Sequence, residues 1–122
     1  MSKITIYHNP RCSKSRQALA LLEAAGEQPT VVRYLDAPPD ALTLERVLVQ
    51  LGLEPQAVMR TGEDRYRELG LGTRQLSRAE AIQVMVENPV LLERPIVVIG
   101  DRAVIARPPE RVRELLSLRS AP

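Results

Sequence analysis

The sequence predicts an α/β fold with a mixed four-stranded sheet and a helical insertion between the second and third strands. Three observations carry this prediction. The chain begins with a strand–helix–strand pattern, its middle has only helical periodicity, and its end has the order strand, turn, strand, helix. At 122 residues the chain is long enough for one hydrophobic core, so we expect residues 1–122 to form a single domain.

The first third of the chain has the pattern of a parallel βαβ unit. Residues Ile4–Tyr7 form a short apolar run that is typical of a strand, and Thr30–Leu35 form a second run rich in β-branched residues. Between them, Ser13–Ala25 carry apolar residues at helical spacing, and Gly26 is suited to end that helix. A helix that joins two adjacent strands predicts a right-handed crossover between parallel strands.

The middle of the chain, residues ~40–90, predicts helices only. Pro38-Pro39-Asp40 is a signal for the start of a helix that Gly52 would end, and Ser77 with Glu80 has the spacing of a capping box. The segments that we expect to be helical are Asp40–Leu51, Pro55–Arg60, Asp64–Leu69 and Ser77–Asn88.

The sheet resumes after this insertion. Ile96–Ile99 and Arg102–Ile105 are short apolar runs, and the Gly100-Asp101 pair between them is typical of a hairpin turn. Pro108-Pro109 then predicts the start of a last helix, whose inner face would carry Val112, Leu115 and Leu116.

The composition excludes several classes of function. Seventeen basic and fifteen acidic residues leave a net charge of +2, and three tyrosines are the only aromatic residues, so we expect no nucleic-acid partner. We also expect no membrane partner, because no apolar run approaches the ~18 residues of a membrane span. The N-terminus has no secretory signal and a lone cysteine cannot form an internal disulfide, so we expect a reducing, cytoplasmic location.

The most informative residue is Cys12, which lies where the first strand turns into the first helix. Backbone N–H groups at a helix start stabilise an anion, and Arg11, Lys14 and Arg16 add positive charge. We therefore expect a thiol pKa well below the free value of about 8.5, near ~4–7, and an oxyanion site around the same N–H groups. The alternative is a buried structural cysteine.

Five separated motifs resemble the glutaredoxin-coupled arsenate reductase family, which also includes the Spx regulators. They are I-T-I-Y-H-N-P-x-C-x-x-S-R, Y-L-D-A-P-P, R-Y-R-E-L-G-L, R-P-I-V-V and A-R-P-P-E. The resemblance covers nearly the whole chain and implies a thioredoxin-like fold. It also implies three catalytic residues: Cys12 as the nucleophile, His8 as a residue that helps to hold the thiolate, and Ser15 as its hydrogen-bond donor.

The resemblance further implies that Arg60, Arg94 and Arg107 bind the oxyanion and that Pro95 follows a cis peptide bond. The residues themselves support two of these roles. Arg94 and Arg107 each precede a proline and flank one β-hairpin, so both side chains can reach one edge of the sheet. Arg16, on the first helical turn, is a weaker candidate for the same anion.

A metal site is not expected, because His8 is the only histidine and Cys12 the only cysteine, and a site needs three or four ligands. The alternative for His8 is a polar strand end that bonds to backbone.

The resemblance implies reduction of arsenate to arsenite through a covalent adduct on the Cys12 thiolate, which glutathione and glutaredoxin resolve. The residues require an outside thiol in any case, because Ser15 stands where a C-x-x-C protein has its resolving cysteine. The expected partners are thus arsenate or a related oxyanion, glutathione as co-substrate and glutaredoxin, with no bound cofactor and a monomeric chain. Two alternatives remain: a glutathione-dependent thiol reductase for another small substrate, and an Spx-like regulator that binds RNA polymerase.

Overall fold

The computed structural model describes the backbone of residues 3–120 and the side chains of residues 3–118. The chain divides into two compact units, one formed by Met1–Ala37 with Arg94–Pro122 and the other by Pro38–Glu93. The second unit corresponds to the predicted helical insertion. The single-domain organisation stays a prediction.

The first unit contains the predicted mixed four-stranded sheet, which confirms the α/β fold class. Its strands, in the spatial order β2-β1-β3-β4, are β1 (Ile4–His8), β2 (Thr30–Arg33), β3 (Ile96–Ile99) and β4 (Arg102–Ile105). Strand β1 is parallel to β2 and antiparallel to β3, and β3 is antiparallel to β4.

The strand register brings several chain segments to one edge of this sheet. His8, the last residue of β1, lies opposite Arg33, and Tyr7 lies opposite Ile96. Ile96 in turn lies opposite Ile105. Therefore the residue pairs 94–95 and 106–107 lie at the end of the sheet where β1 and β2 finish.

Two helices, α1 (Ser13–Ala24) and α5 (Arg111–Ser120), pack on the sheet and close the core of the first unit. Alternation along β1 buries Ile4, Ile6 and His8 on one face, and the buried stripe of α1 begins at Ser15. The apolar side chains of this core are Ile4, Ile6, Ala18, Leu22, Val97, Ile99, Val104, Ala106, Val112 and Leu115. His8 and Ser15 thus form the polar end of an otherwise aliphatic core.

The second unit is helical. It contains α2 (Ala41–Leu51), α3 (Asp64–Glu68) and α4 (Arg78–Glu87), with 3₁₀ turns at Pro55–Val58, Leu71–Thr73 and Pro89–Leu91. The Asp40 carboxylate accepts the Thr43 N–H at the start of α2, and Ser77 and Glu80 form the predicted capping box of α4. Gly52 ends α2 with a φ of 69°, a left-handed conformation that glycine adopts without strain.

Three predicted boundaries differ from the structure by two residues or more. β2 ends at Arg33 rather than Leu35, because the N–H groups of Asp36 and Ala37 turn back to the Arg33 carbonyl. The segment from Pro55 is helical only to Val58. The last helix begins at Arg111, after a turn in which the Pro108 and Pro109 carbonyls accept the N–H groups of Arg111 and Val112.

Within residues 3–120, no helix is both long enough and apolar enough to cross a membrane.

Candidate active site

A tight turn joins β1 to α1 and sets the position of Cys12. The Cys12 N–H donates to the Asn9 carbonyl at 3.0 Å, and the Arg11 N–H donates to the Asn9 side-chain oxygen at 3.0 Å. Asn at the first position of a turn and Pro10 at the second are the residues that such a turn favours. Cys12 then occupies the N-cap position of α1 with extended backbone angles.

The electrostatics of Cys12 favour the thiolate. Burial works to raise the pKa of the thiol, but the backbone N–H of Ser15 and the charge of Arg94 lower it, followed by the N–H of Lys14 and the charge of Arg107. The result is a Cys12 pKa below its ordinary value. At the N-cap position a Cys12 thiolate also meets the partial positive charge of the helix N-terminus.

The Ser15 hydroxyl holds the turn together from inside. Its Oγ lies 2.6 Å from His8 Nδ1 and accepts the Asn9 N–H at 3.0 Å. Both His8 and Ser15 are buried, with 6% and 0% of their surface exposed. The serine therefore ties the end of β1 to the first turn of α1, and its own N–H faces Cys12.

The role that the resemblance implied for Ser15 stays a prediction. Its hydroxyl is engaged by His8 and Asn9, and the group of Ser15 that lowers the Cys12 pKa is the backbone N–H. His8 also differs from a cationic partner of the thiolate, because burial, and then the charges of Arg33 and Arg16, lower its pKa. His8 is therefore neutral near pH 7, and its Nδ1 contacts the Ser15 hydroxyl. Its part in holding the thiolate stays a prediction.

The neutral, buried His8 predicts an acid-sensitive fold. A histidine whose folded pKa lies below its unfolded value of about 6.5 binds a proton more readily after unfolding. Its contribution to stability is therefore present above pH 6.5 and is lost as the pH falls through the folded pKa. We expect the free energy of unfolding, from urea titrations between pH 7.5 and 5, to fall less in His8→Asn than in the parent. Because His8 is the only histidine, an equal fall in both proteins would contradict its burial as a neutral group.

Arg94 carries buried hydrogen-bond donors that no other described residue engages. Its Nε and Nη1 atoms are buried, and neither has a hydrogen-bond partner among the residues that the structure describes. Leaving a buried charged donor unsatisfied is costly, so such a group indicates a ligand. Arg107 Nη1 donates to the Arg94 carbonyl at 3.2 Å, and both guanidinium charges reach Cys12 strongly enough to lower its pKa.

The other two arginines named from the sequence are engaged elsewhere. Arg60 belongs to the second unit, where its guanidinium pairs with Glu63 and, at 3.5 Å, with Glu93. An oxyanion on Arg60 would have to compete with these two carboxylates. Arg16 donates to the Pro10 carbonyl at 2.9 Å, and it therefore supports the turn before Cys12.

The peptide bond between Arg94 and Pro95 is cis, and so is the bond between Arg107 and Pro108. The second cis bond was not predicted from the sequence, and neither was the part that Asn9 takes in the turn. The N-P-x-C pattern, which places Asn and Pro at favoured turn positions, was the available signal for Asn9.

Comparison with known proteins places these residues in a family. The ArsC family model matches residues 7–115. The uncharacterized protein YfgD of Escherichia coli (strain K12) is 51% identical over 115 residues, which cover 93% of this chain and 97% of YfgD. An arsenate reductase of Neisseria meningitidis serogroup A is 44% identical over 117 residues, which cover 95% of this chain and all of that protein.

A solved structure supports the same assignment. The arsenate reductase from Vibrio cholerae is 50% identical and superposes with a TM-score of 0.89, covering 93% of this chain and 97% of that one. Together with the sheet order, this similarity confirms the thioredoxin-like fold that the motifs implied. The chain therefore belongs to the ArsC family.

Proposed function

We propose that this protein reduces arsenate to arsenite, with Cys12 as the nucleophile and an outside thiol as the reductant. The observation that carries the proposal is the Arg94 side chain, whose Nε and Nη1 are buried without a hydrogen-bond partner among the described residues and whose charge acts on the Cys12 thiol. A nucleophile beside a preformed oxyanion ligand suits chemistry at an oxyanion centre. Relatives at 44% identity that bear the name arsenate reductase support the choice of arsenic.

The reaction begins with attack of the Cys12 thiolate on arsenic(V). A sulfur–arsenic bond forms and one arsenate oxygen leaves as water after protonation. Arg94 and Arg107 would hold the remaining oxygens, and the N–H groups at the start of α1 would oppose the developing negative charge. Donors held by a β-hairpin and a helix start need little rearrangement, which is the condition for transition-state stabilisation.

The second step consumes the outside thiol. The sulfur of glutathione attacks the Cys12 sulfur, the electron pair of the sulfur–arsenic bond passes to arsenic, and arsenite leaves. Cys12 remains as a mixed disulfide with glutathione. A glutaredoxin thiolate then attacks the glutathione sulfur and returns Cys12 as the thiolate.

The need for an outside reductant follows from the sequence. Cys12 has no second cysteine to resolve it, and the Ser15 hydroxyl, bonded to His8, contains no sulfur. The proposed cycle therefore needs a compartment rich in reduced thiols, for which we propose the cytoplasm. The residues proposed to act on arsenate all come from the first unit of one chain, so a monomer would suffice.

The test is a coupled assay that measures NADPH consumption with glutathione, glutathione reductase and glutaredoxin. We expect consumption that depends on arsenate, on glutaredoxin and on Cys12, with one equivalent of arsenite formed per NADPH. Intact mass after incubation with oxidised glutathione should show one added glutathione. Turnover with another oxyanion but none with arsenate would contradict the proposed substrate. Full turnover without glutathione would contradict the proposed reductant.

A further inference from the structure

A concave region lies beside the turn that leads to Cys12. It is a cavity of about 230 Å³ within the first unit. Its lining combines the end of β1 and the following turn with the end of β2: His8, Asn9, Pro10, Arg11, Arg33, Leu35 and Asp36. None of the steps proposed so far uses this cavity.

The cavity and the oxyanion ligands lie on opposite sides of β1. His8 pairs with Arg33 on β2, which places the cavity on the β2 side. Arg94 and Arg107 flank the β3–β4 hairpin, which pairs with the other edge of β1. The turn that ends at Cys12 lies between them. Arg11, the residue before Cys12, lines the cavity, whereas Arg94 and Arg107 do not, so a ligand there would lie next to the turn that carries Cys12 and leave Arg94 free for an oxyanion.

The charge and size of the cavity indicate an organic anion. Arg11 and Arg33 are exposed cations, and the one acidic group of the lining, Asp36, lies 3.3 Å from Arg33 Nε. A volume of about eight water molecules exceeds the need of one tetrahedral oxyanion. Pro10 and Leu35 also provide apolar surface, which matches the methylene groups of a peptide.

We infer that this cavity binds a carboxylate-bearing end of the thiol co-substrate, so that the enzyme favours an acidic thiol peptide such as glutathione over neutral thiols. The inference rests on the proposed function, because it assigns a site to the reductant of that cycle. Arg33 would hold the carboxylate, and Asp36 would compete with it for the same guanidinium. Arg33 thereby becomes a specificity-determining residue outside the oxyanion site.

The test uses thiol–disulfide exchange and no arsenate, so it is independent of the proposed substrate. The Cys12 thiolate attacks a symmetrical disulfide, one new sulfur–sulfur bond forms, and one thiolate leaves. The rate of adduct formation, followed by intact mass, is measured with oxidised glutathione, with its carboxyl ethyl ester and with bis(2-hydroxyethyl) disulfide. The ratio of the rate with oxidised glutathione to the rate with either uncharged reagent reports the carboxylate site and cancels changes in the reactivity of Cys12 itself.

Two variants should move this ratio in opposite directions. Arg33→Gln should lower it about three- to tenfold, the range for losing a charged hydrogen bond at a partly exposed site. Asp36→Asn should raise it, because the competing carboxylate is gone. Arg102→Gln is the matched control, since Arg102 is an exposed arginine at the opposite end of the strands of the same sheet. It should leave the ratio unchanged.

Three results would overturn the inference. The first is a parent ratio no greater than the ratio of rates that the same reagents show with a small thiol. The second is an unchanged ratio in both Arg33→Gln and Asp36→Asn. The third is an equal fall of the ratio in Arg33→Gln and Arg102→Gln, which would indicate an effect of net charge alone. Thermal unfolding of each variant checks that the fold is retained. If the ratio behaves as expected and the coupled assay shows no arsenate turnover, the carboxylate site is supported and arsenate is excluded as the substrate.

Discussion

Cys12→Ser is expected to abolish turnover with arsenate while leaving the stability of the protein nearly unchanged. Turnover is lost because the chain has no other thiol to form the adduct. Stability is retained because Cys12 lies at the N-cap of α1, where serine is among the preferred residues. The measurements are the coupled NADPH assay and urea unfolding near pH 6, where fewer Cys12 side chains contribute as thiolate.

The difference in stability between the parent and Cys12→Ser should also change with pH in a definite direction. The folded pKa of Cys12 lies below its unfolded value, so the thiolate stabilises the fold above the unfolded pKa and this contribution is lost as the pH falls through the folded one. The parent should therefore gain stability relative to Cys12→Ser between pH 6 and 9. A loss of more than about 2 kcal/mol in Cys12→Ser at pH 6 would instead indicate a structural cysteine in the core.

Arg94→Ala is expected to reduce kcat/KM for arsenate by roughly ten- to a thousandfold, the range for removing a donor to developing charge. Stability should stay the same or increase, because the substitution removes two buried guanidinium nitrogens that no described residue engages. Arg94→Lys should restore only part of the activity, since a point charge does not reproduce the planar donor set. Arg107→Ala should also slow adduct formation.

The control for this series is Arg102→Ala, which removes an exposed arginine from the opposite end of the strands of the same sheet. Its activity should equal that of the parent. If Arg94→Ala bound anions and turned over normally, Arg94 would not be an oxyanion ligand. A marked loss of stability in Arg94→Ala together with normal activity would mean that the buried guanidinium serves the fold alone.

The elements that were predictable from sequence are those with local causes. The capping box of Ser77 and Glu80 and the strands of the β3–β4 hairpin have the bounds or contacts that their patterns indicated. The end of β2 was not predictable, because a turn onto the Arg33 carbonyl stopped a run of strand-forming residues. Local propensity does not determine where a chain leaves its sheet.

In the site, too, features with local causes were predictable and features that depend on packing were not. The N-cap position of Cys12 follows from a strand–turn–helix pattern, and so does the direction of its pKa shift. The partner of the Ser15 hydroxyl depends on how α1 packs on β1, since only that packing joins the last buried position of the strand to the first of the helix. The ion pair of Arg60 with Glu93 joins residues 33 positions apart, and the pattern around Arg60 contains no sign of it.

The central claim is that Cys12 is a thiolate held by a helix N-terminus and the cations around it. The rate of alkylation by iodoacetamide, measured from pH 4 to 10, tests it directly because the chain has one thiol. The unfolded protein in urea supplies the reference titration. We expect the folded midpoint to lie well below about 8.5 and to rise toward it in Arg94→Ala. A folded midpoint at or above that of the unfolded chain would contradict the account.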